Sequence, residues 1–260
     1  MFPRRPVGIL LGYLADVALG DPRRGHPVAG FGAVAGRLER LTYRDRRAAG
    51  ALHTALLLIP LGAGAALAGR SAAAVAAATW VSLGGTSLAR TGLRMADALD
   101  RDDITEAREV LPSLCGRDPV FLDRAGLTRA ALESIAENTS DAQVAPLLWA
   151  AGAGTPGVLL YRAVNTLDAM IGHRSPRYAR FGWAAARLDD VANYAGARVA
   201  GALVVACAPV VGGSASGAWR AWRRDAAAHP SPNAGVVEAA FAGALGVRLG
   251  GPTQYRHELQ

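Results

Sequence analysis

Four stretches without a charged residue, at 48–69, 71–89, 142–161 and 199–219, constrain this chain more than any other feature. Each approaches the roughly 20 residues that a helix needs to cross a bilayer. In lipid only helices and closed barrels satisfy every backbone polar group. The sequence therefore predicts an all-α, polytopic integral membrane bundle, a single membrane-embedded domain over residues 1–260, with amphipathic cytoplasmic helices and broken or re-entrant segments. Composition agrees: 51% hydrophobic residues, 19% charged residues and a mean hydropathy of +0.18 are too apolar for a soluble domain of this length. The ten uncharged residues between Arg5 and Asp16 are too few for a regular span and lack a signal cleavage site. They predict a partly embedded helix.

The net charge of +7 comes entirely from arginine against carboxylate, because the chain has no lysine. A phosphate-binding loop with its lysine is thereby excluded. Arg44, Arg46 and Arg47 precede the first long apolar stretch and Arg90 and Arg94 follow the second, with only Arg70 between them. This predicts a hairpin with cytoplasmic ends, in which Leu57 and Leu67 face lipid. Ala and Gly dominate both stretches, which lets helices approach closely. No compact arginine and aromatic module suggests nucleic acid. Cys115 and Cys207 lie far apart and outside any metal or disulfide pattern.

Residues 95–141 are polar and charged, a water-facing helical region ending in an amphipathic helix over 128–139. Glu133, Glu137 and Asp141 follow at four-residue steps, so a continuous helix would align them in one stripe. That stripe suits Mg²⁺, which takes a few carboxylates with phosphate and water oxygens. It suits a solvated helix face equally well. The third apolar stretch carries Gly152, Gly154, Pro156 and Gly157, which interrupt a helix. Beyond it, Arg162, Asn165 and Asp168 share a sector near the membrane surface, with Arg174, Arg177 and Arg180 following. Guanidinium groups there fit either phosphate or lipid headgroups. Asp189, Asp190 and Asn193 precede the fourth stretch, and Arg198 enters it, where a charge needs a partner such as Asp189 or Asp190. The cluster reads as a metal or amine site, or as a structural ion pair. Two loop blocks complete the inventory: Asp21 with His26, and Asn233 with Glu238. His26 suits a base, a phosphate ligand or a backbone hydrogen bond.

Taken together, LADVALGDPRRGHPVAGFG, ALESIAENTSDAQVAPLLWA, YRAVNTLDAMIGHRSPRYARFGWAAARLDDVANYAGAR and HPSPNAGVVEAAFAGALGVRLGGP resemble the CobD/CbiB family over about residues 10–252. The resemblance implies an ATP-dependent amide ligase that joins adenosylcobyric acid to (R)-1-amino-2-propanol or its O-phosphate, with Mg²⁺. It further implies a multi-pass protein of the cell membrane, with a cytoplasmic site and contacts to other cobalamin-pathway enzymes. Under it, Glu133, Glu137, Asp141 and Asp168 are expected to hold the metal. Arg162, Arg174 and Arg198 would bind phosphates or the corrinoid carboxylate, with Asp21, Asn138, Asn165, Asn193 and Asn233 around the nucleotide. Asp190 would orient the ammonium, and His26 or Asp189 would take its proton. The chain departs from the family pattern at Ala142, where Gly is usual, at Val237, where Pro is usual, and at Gln260, beyond which relatives generally continue.

ATP is cytosolic, so a single site requires all four blocks to reach one membrane face. Stretches 142–161 and 199–219 are each expected to be interrupted, re-entrant or buried in the bundle. The competing readings are a non-catalytic AmpE-like sensor or scaffold, a CDP-alcohol transferase whose Asp-Gly and Ala-Arg pattern is absent here, and a transporter with broken helices.

Overall fold

A computed structural model describes residues 4–22, 25–69, 71–173 and 175–251, with the backbone alone at 254–255 and 258–259. Among the described residues it is all-α apart from a two-residue antiparallel pairing of Gln254–Tyr255 with Glu258–Leu259. Two compact units divide the chain. One joins Met1–Gly84 to Asp141–Gly196, the other Gly85–Ser140 to Ala197–Gln260. Neither is a consecutive stretch of sequence.

The first unit contains α1 (Arg4–Leu19), α2 (Pro27–Thr42), α3 (Arg47–Leu67), α4 (Ala72–Ser82), α8 (Ala145–Leu167) and the start of α9 (Trp183–Cys207). Although α3 and α4 are adjacent in sequence, α4 packs chiefly on α1 and α8, and α3 on α8 and α2. Glycine spacing explains the choice of partner. A Cβ at Gly8 would lie 2.7 Å from the Ala72 carbonyl oxygen and from Val75, and one at Gly12 would lie 2.6 Å from the Ala76 carbonyl oxygen. Only the missing side chains let these two backbones come so close. Leu57 is 7% exposed and packs with Ala35, Leu167, Ile171, Phe181 and Ala185, so it faces protein and not lipid, whereas Leu67 is 88% exposed.

The third apolar stretch is interrupted as its glycines and proline predict. Gly154 takes φ 66° and ψ −148°, two residues before Pro156. The break strips the carbonyls of Ala151 and Gly152 of their helical partners, and Arg5 from α1 donates to both from Nη1 at 3.0 Å. One guanidinium thus caps the first half of α8. Two π-helical turns flank α8, Ser140–Val144 before it and Asp168–Gly172 after it. Ala142 lies within the first, where no left-handed φ is needed, so it substitutes there for Gly without strain.

The fourth apolar stretch is interrupted as expected, but its helix begins well before it. The long helix is α9, which starts at Trp183 and so contains Asp189, Asp190 and Asn193 instead of following them. After Cys207 the chain forms a 3₁₀ turn (Ala208–Val211) and reverses at Gly212, φ 77°, before α10 (Ala215–Asp225). The 199–219 stretch is therefore interrupted at the Pro209–Gly213 corner. Among the described residues four helical runs, Arg47–Leu67, Ala72–Asp100, Arg124–Gly172 and Trp183–Val211, are long and apolar enough to cross a membrane.

The second unit contains α5 (Gly85–Asp100), α6 (Ile104–Val110), α7 (Arg124–Thr139), the end of α9, α10 and α11 (Ala234–Leu245). Met95, Ala98, Leu99, Ala107, Val110, Leu111, Leu127, Ala130 and Ala131 form its core among α5, α6 and α7. Asp103 and Asp123 cap α6 and α7 by accepting from the Glu106 and Gly126 amides. Helices α10 and α11 meet through Gly217 and Gly243, each positioned where the other's backbone would strike a Cβ.

Candidate functional site

The π turn before α8 decides where the first acidic residue goes. Helix α7 stops at Thr139, so the four-residue stripe of Glu133, Glu137 and Asp141 does not continue as one α-helical face. Asp141 instead turns toward α8 and α9. Asn165 Nδ2, on α8, donates to Asp141 Oδ2 at 3.2 Å and to Asp189 Oδ1 at 3.3 Å. Asn193 Nδ2, one turn beyond Asp189 on α9, donates to Asp189 Oδ2 at 2.9 Å and to Asp141 Oδ2 at 3.5 Å. Two carboxylates from different elements are thus held one amide apart. The Tyr161 hydroxyl donates to Asn193 Oδ1 at 2.6 Å, which fixes the amide with its NH₂ toward the acids. Tyr161 also reaches the Asp141 carbonyl at 2.9 Å. Arg162 Nη1 donates to Asn165 Oδ1 at 3.4 Å, and its Nε is buried with no partner among the described residues.

This net has the donor set of a hard-cation and phosphate site. Mg²⁺ binds through one or two carboxylates and completes its shell with phosphate and water oxygens. Asp141 offers a carboxylate for a cation, Asp189 a second carboxylate that can take a proton, and the unfilled Arg162 Nε a donor for an anion. No group of three or more His, Cys, Asp or Glu converges among the described residues. A cation held here thus takes the rest of its ligands from substrate and water.

The other expected residues are placed as follows. Asp168 lies in the second π turn, its carboxylate folded over Gly172, where any side chain would displace it. Asp190 pairs with Arg187 at 3.3 Å on the surface of α9. Asp21 Oδ1 is 3.6 Å from His26 Nε2, while His26 Nδ1 accepts from the Val28 amide and caps α2. The Nδ1 lone pair is therefore engaged by that amide, and Nε2 faces Asp21. In this geometry His26 lies beside Asp21 at the start of α2. Arg174 lies outside the described residues.

In the second unit Glu133 is 4% exposed, not a member of a solvated face. It forms an ion pair with Arg117 and accepts from the Gly250 amide at 2.6 Å. Glu137 is exposed, and Asn138 turns back to the Ser134 carbonyl at 2.9 Å. Arg198, expected to pair with Asp189 or Asp190, instead donates to Asn233 Oδ1 at 2.9 Å and to the Pro232 carbonyl at 3.1 Å. Its charge is met by the loop that starts α11. Glu238 is 8% exposed and lies 3.8 Å from His229 Nε2. Burial, then the nearby Glu133 and Glu137 charges, push its pKa up to about 8, against a smaller lowering by Arg117.

Sequence reasoning missed Tyr161, Arg117 and His229. Tyr161 is four residues before Asn165, so it belongs to the same helix sector. His229 repeats the build of His26: a proline follows, and Nδ1 accepts from the amide two residues on, Ser231 at 3.0 Å. Its Nε2 likewise faces a carboxylate. Arg117 sits in a turn where no periodicity announces it.

Comparison with known proteins agrees with the resemblance in the four blocks. The family model described as CobD/Cbib protein matches residues 9–260. Three similar relatives each bear the name cobalamin biosynthesis protein CobD. That of Mycobacterium tuberculosis H37Rv is 70% identical over 98% of this chain and 84% of its own length. Those of Stutzerimonas stutzeri A1501 and Geobacter metallireducens GS-15 are 45% and 44% identical, each over 95% of this chain and 82% of their own length. No solved structure matches. With a family match over nearly its whole length and relatives this similar, the chain belongs to the CobD/CbiB family.

Proposed function

We propose that the protein acts in cobalamin biosynthesis as an acid–amine ligase of the cell membrane, with its site on the cytoplasmic side. It joins adenosylcobyric acid to (R)-1-amino-2-propanol or its O-phosphate, giving adenosylcobinamide or its phosphate, with ATP as co-substrate. The names of its relatives support the pathway. The observation that carries the chemistry is the pair of carboxylates, Asp141 and Asp189, held by Asn165 and Asn193 beside the unfilled Nε of Arg162.

A carboxylate and an amine do not condense in water without activation. In this reading a corrinoid carboxylate oxygen attacks the γ-phosphorus of ATP, forming the acyl C–O–P linkage and releasing ADP. The amine nitrogen then attacks the acyl carbon. The C–N bond forms as the acyl C–O bond breaks and phosphate leaves with that oxygen; the ammonium loses one proton before attack, and the second N–H proton leaves with the phosphate. Arg162 binds the transferring phosphoryl oxygens through its free Nε. Asp189 takes the amine proton, because Asp190 is held by Arg187 and the His26 lone pair caps a helix. Asn165 and Asn193 keep Asp141 and Asp189 in register, and Tyr161 keeps Asn193 from flipping. Mg²⁺, held by Asp141 with phosphate and water oxygens, would neutralise charge on the transferring phosphoryl group. In the second unit Arg198 serves a corrinoid carboxylate.

The test is amide formation by detergent-purified protein given adenosylcobyric acid, Mg·ATP and either amine, with mass spectrometry of the corrinoid and assay of ADP. The expected result is amide and ADP in equal amounts, each requiring the other substrate. Folded protein that neither consumes ATP nor makes amide would overturn the ligase reading and favour a scaffold.

A further inference from the structure

In the second unit a cleft of about 580 Å³ lies between the N-terminal half of α7 and the chain leaving α11. Asp123, Arg124, Arg129 and Arg248 line it together with the apolar Leu132 and Val247. Its size is that of a small-molecule site, roughly 300–1,000 Å³. None of these arginines belongs to the carboxylate and amide net or to the expected ligase residues.

The cleft is fixed on both sides. Gly250 donates its amide to Glu133 Oε1 at 2.6 Å and accepts from Arg129 Nη1 at 3.2 Å, so residues one turn apart on α7 hold the two peptide groups on either side of Gly250 in the opposite wall. Arg124 Nη2 is anchored on the Leu99 carbonyl at 2.9 Å, with Asp102 3.7 Å from its Nη1. A guanidinium has five donors, and such anchoring uses only some of them. Arg248 is exposed. The one carboxylate among the lining side chains, Asp123, already caps α7 through Oδ1, 2.7 Å from the Gly126 amide. Asp102 is set against Arg124, but Arg129 and Arg248 still outnumber the committed Asp123 and favour an anion, and planar guanidinium forks match phosphate oxygens bidentately. Leu132 and Val247 beside them leave apolar surface that a bare inorganic ion would not cover.

We propose that this cleft binds the phosphate head of a ligand with an apolar body, a function separate from the ligase chemistry. That chemistry has two sources, an anionic lipid headgroup and a soluble organic phosphate. The experiment uses the full chain in a maltoside detergent without corrinoid or ATP, so its outcome does not depend on the ligase reading. Binding of dihexanoyl phosphatidic acid, phenyl phosphate and dihexanoyl phosphatidylcholine is measured by native mass spectrometry and calorimetry. At least one of the two phosphate monoesters should bind saturably, about tenfold more weakly in Arg248→Gln, as expected for one lost charge-assisted contact. Arg248→Glu should weaken it further, and Asp189→Asn should leave it unchanged. Binding of phosphatidic acid alone assigns the cleft to lipid, and binding of phenyl phosphate as well assigns it to a soluble ligand. Absence of saturable binding, affinity equal to that for phosphatidylcholine, or indifference to both Arg248 variants would overturn the proposal.

Discussion

Glu238 shows how a single side chain's surroundings set its chemistry. Its carboxyl is buried near two other acids, and its pKa of about 8 lies above the 4.5 of an exposed glutamate. The folded protein therefore binds a proton that the unfolded chain releases between these values, and stability must fall as pH rises through that window. Melting temperature measured from pH 5 to pH 8.5 is expected to decline in the wild type. Glu238→Gln, which stays neutral, should remove much of the decline, and an unchanged slope would place the proton elsewhere. The sequence named Glu238 as part of a loop block, but its burial depends on α7 packing against α11, which no local pattern encodes. The same limit explains His26 and Arg198. Their identities were legible as candidate functional groups, whereas the amide capped by His26 and the Asn233 bonded to Arg198 are set by loop geometry.

At the scale of elements, the apolar stretches located the long helices, and the Gly and Pro content of 142–161 located its break. What covers that break was not legible, because Arg5 is almost 150 positions away in sequence. Arg5→Ala would leave the exposed Ala151 and Gly152 carbonyls without their donor, at a cost of about 0.5–1.5 kcal/mol. Thermal unfolding in detergent should show the loss, and Arg5→Lys should restore part of it. A stability equal to wild type in Arg5→Ala would mean that the break is satisfied in another way. The four-residue stripe failed for a related reason. An α-helical period describes α7 correctly to Thr139, but the π turn at Ser140–Val144 adds a residue to the turn and sends Asp141 toward Asn165 and Asn193. π turns carry no composition signature, so only the fold reveals which acids meet.

For the whole molecule, family membership and the all-α membrane architecture were both legible, since long apolar stretches and long blocks of similarity survive any local misreading. The division into two units was not, because each is assembled from two separated stretches. Its consequence is that Asp141, Arg162, Asn165, Asp189 and Asn193 gather in one unit, while Glu133, Glu137, Asn138, Arg198 and Asn233 belong to the other. The central claim is that the chemistry runs at the first of these groups. The most direct measurement compares ATP-dependent amide formation by wild type, Asp189→Asn and Asp190→Asn under one set of conditions, with melting temperatures recorded for each. Loss of a general base costs about 10²–10⁴-fold. Asp189→Asn should therefore fall at least a hundredfold while remaining folded, and Asp190→Asn, which breaks the ion pair with Arg187, should stay within a few-fold of wild type. Full activity in folded Asp189→Asn, or an equal loss in both variants, would contradict the account.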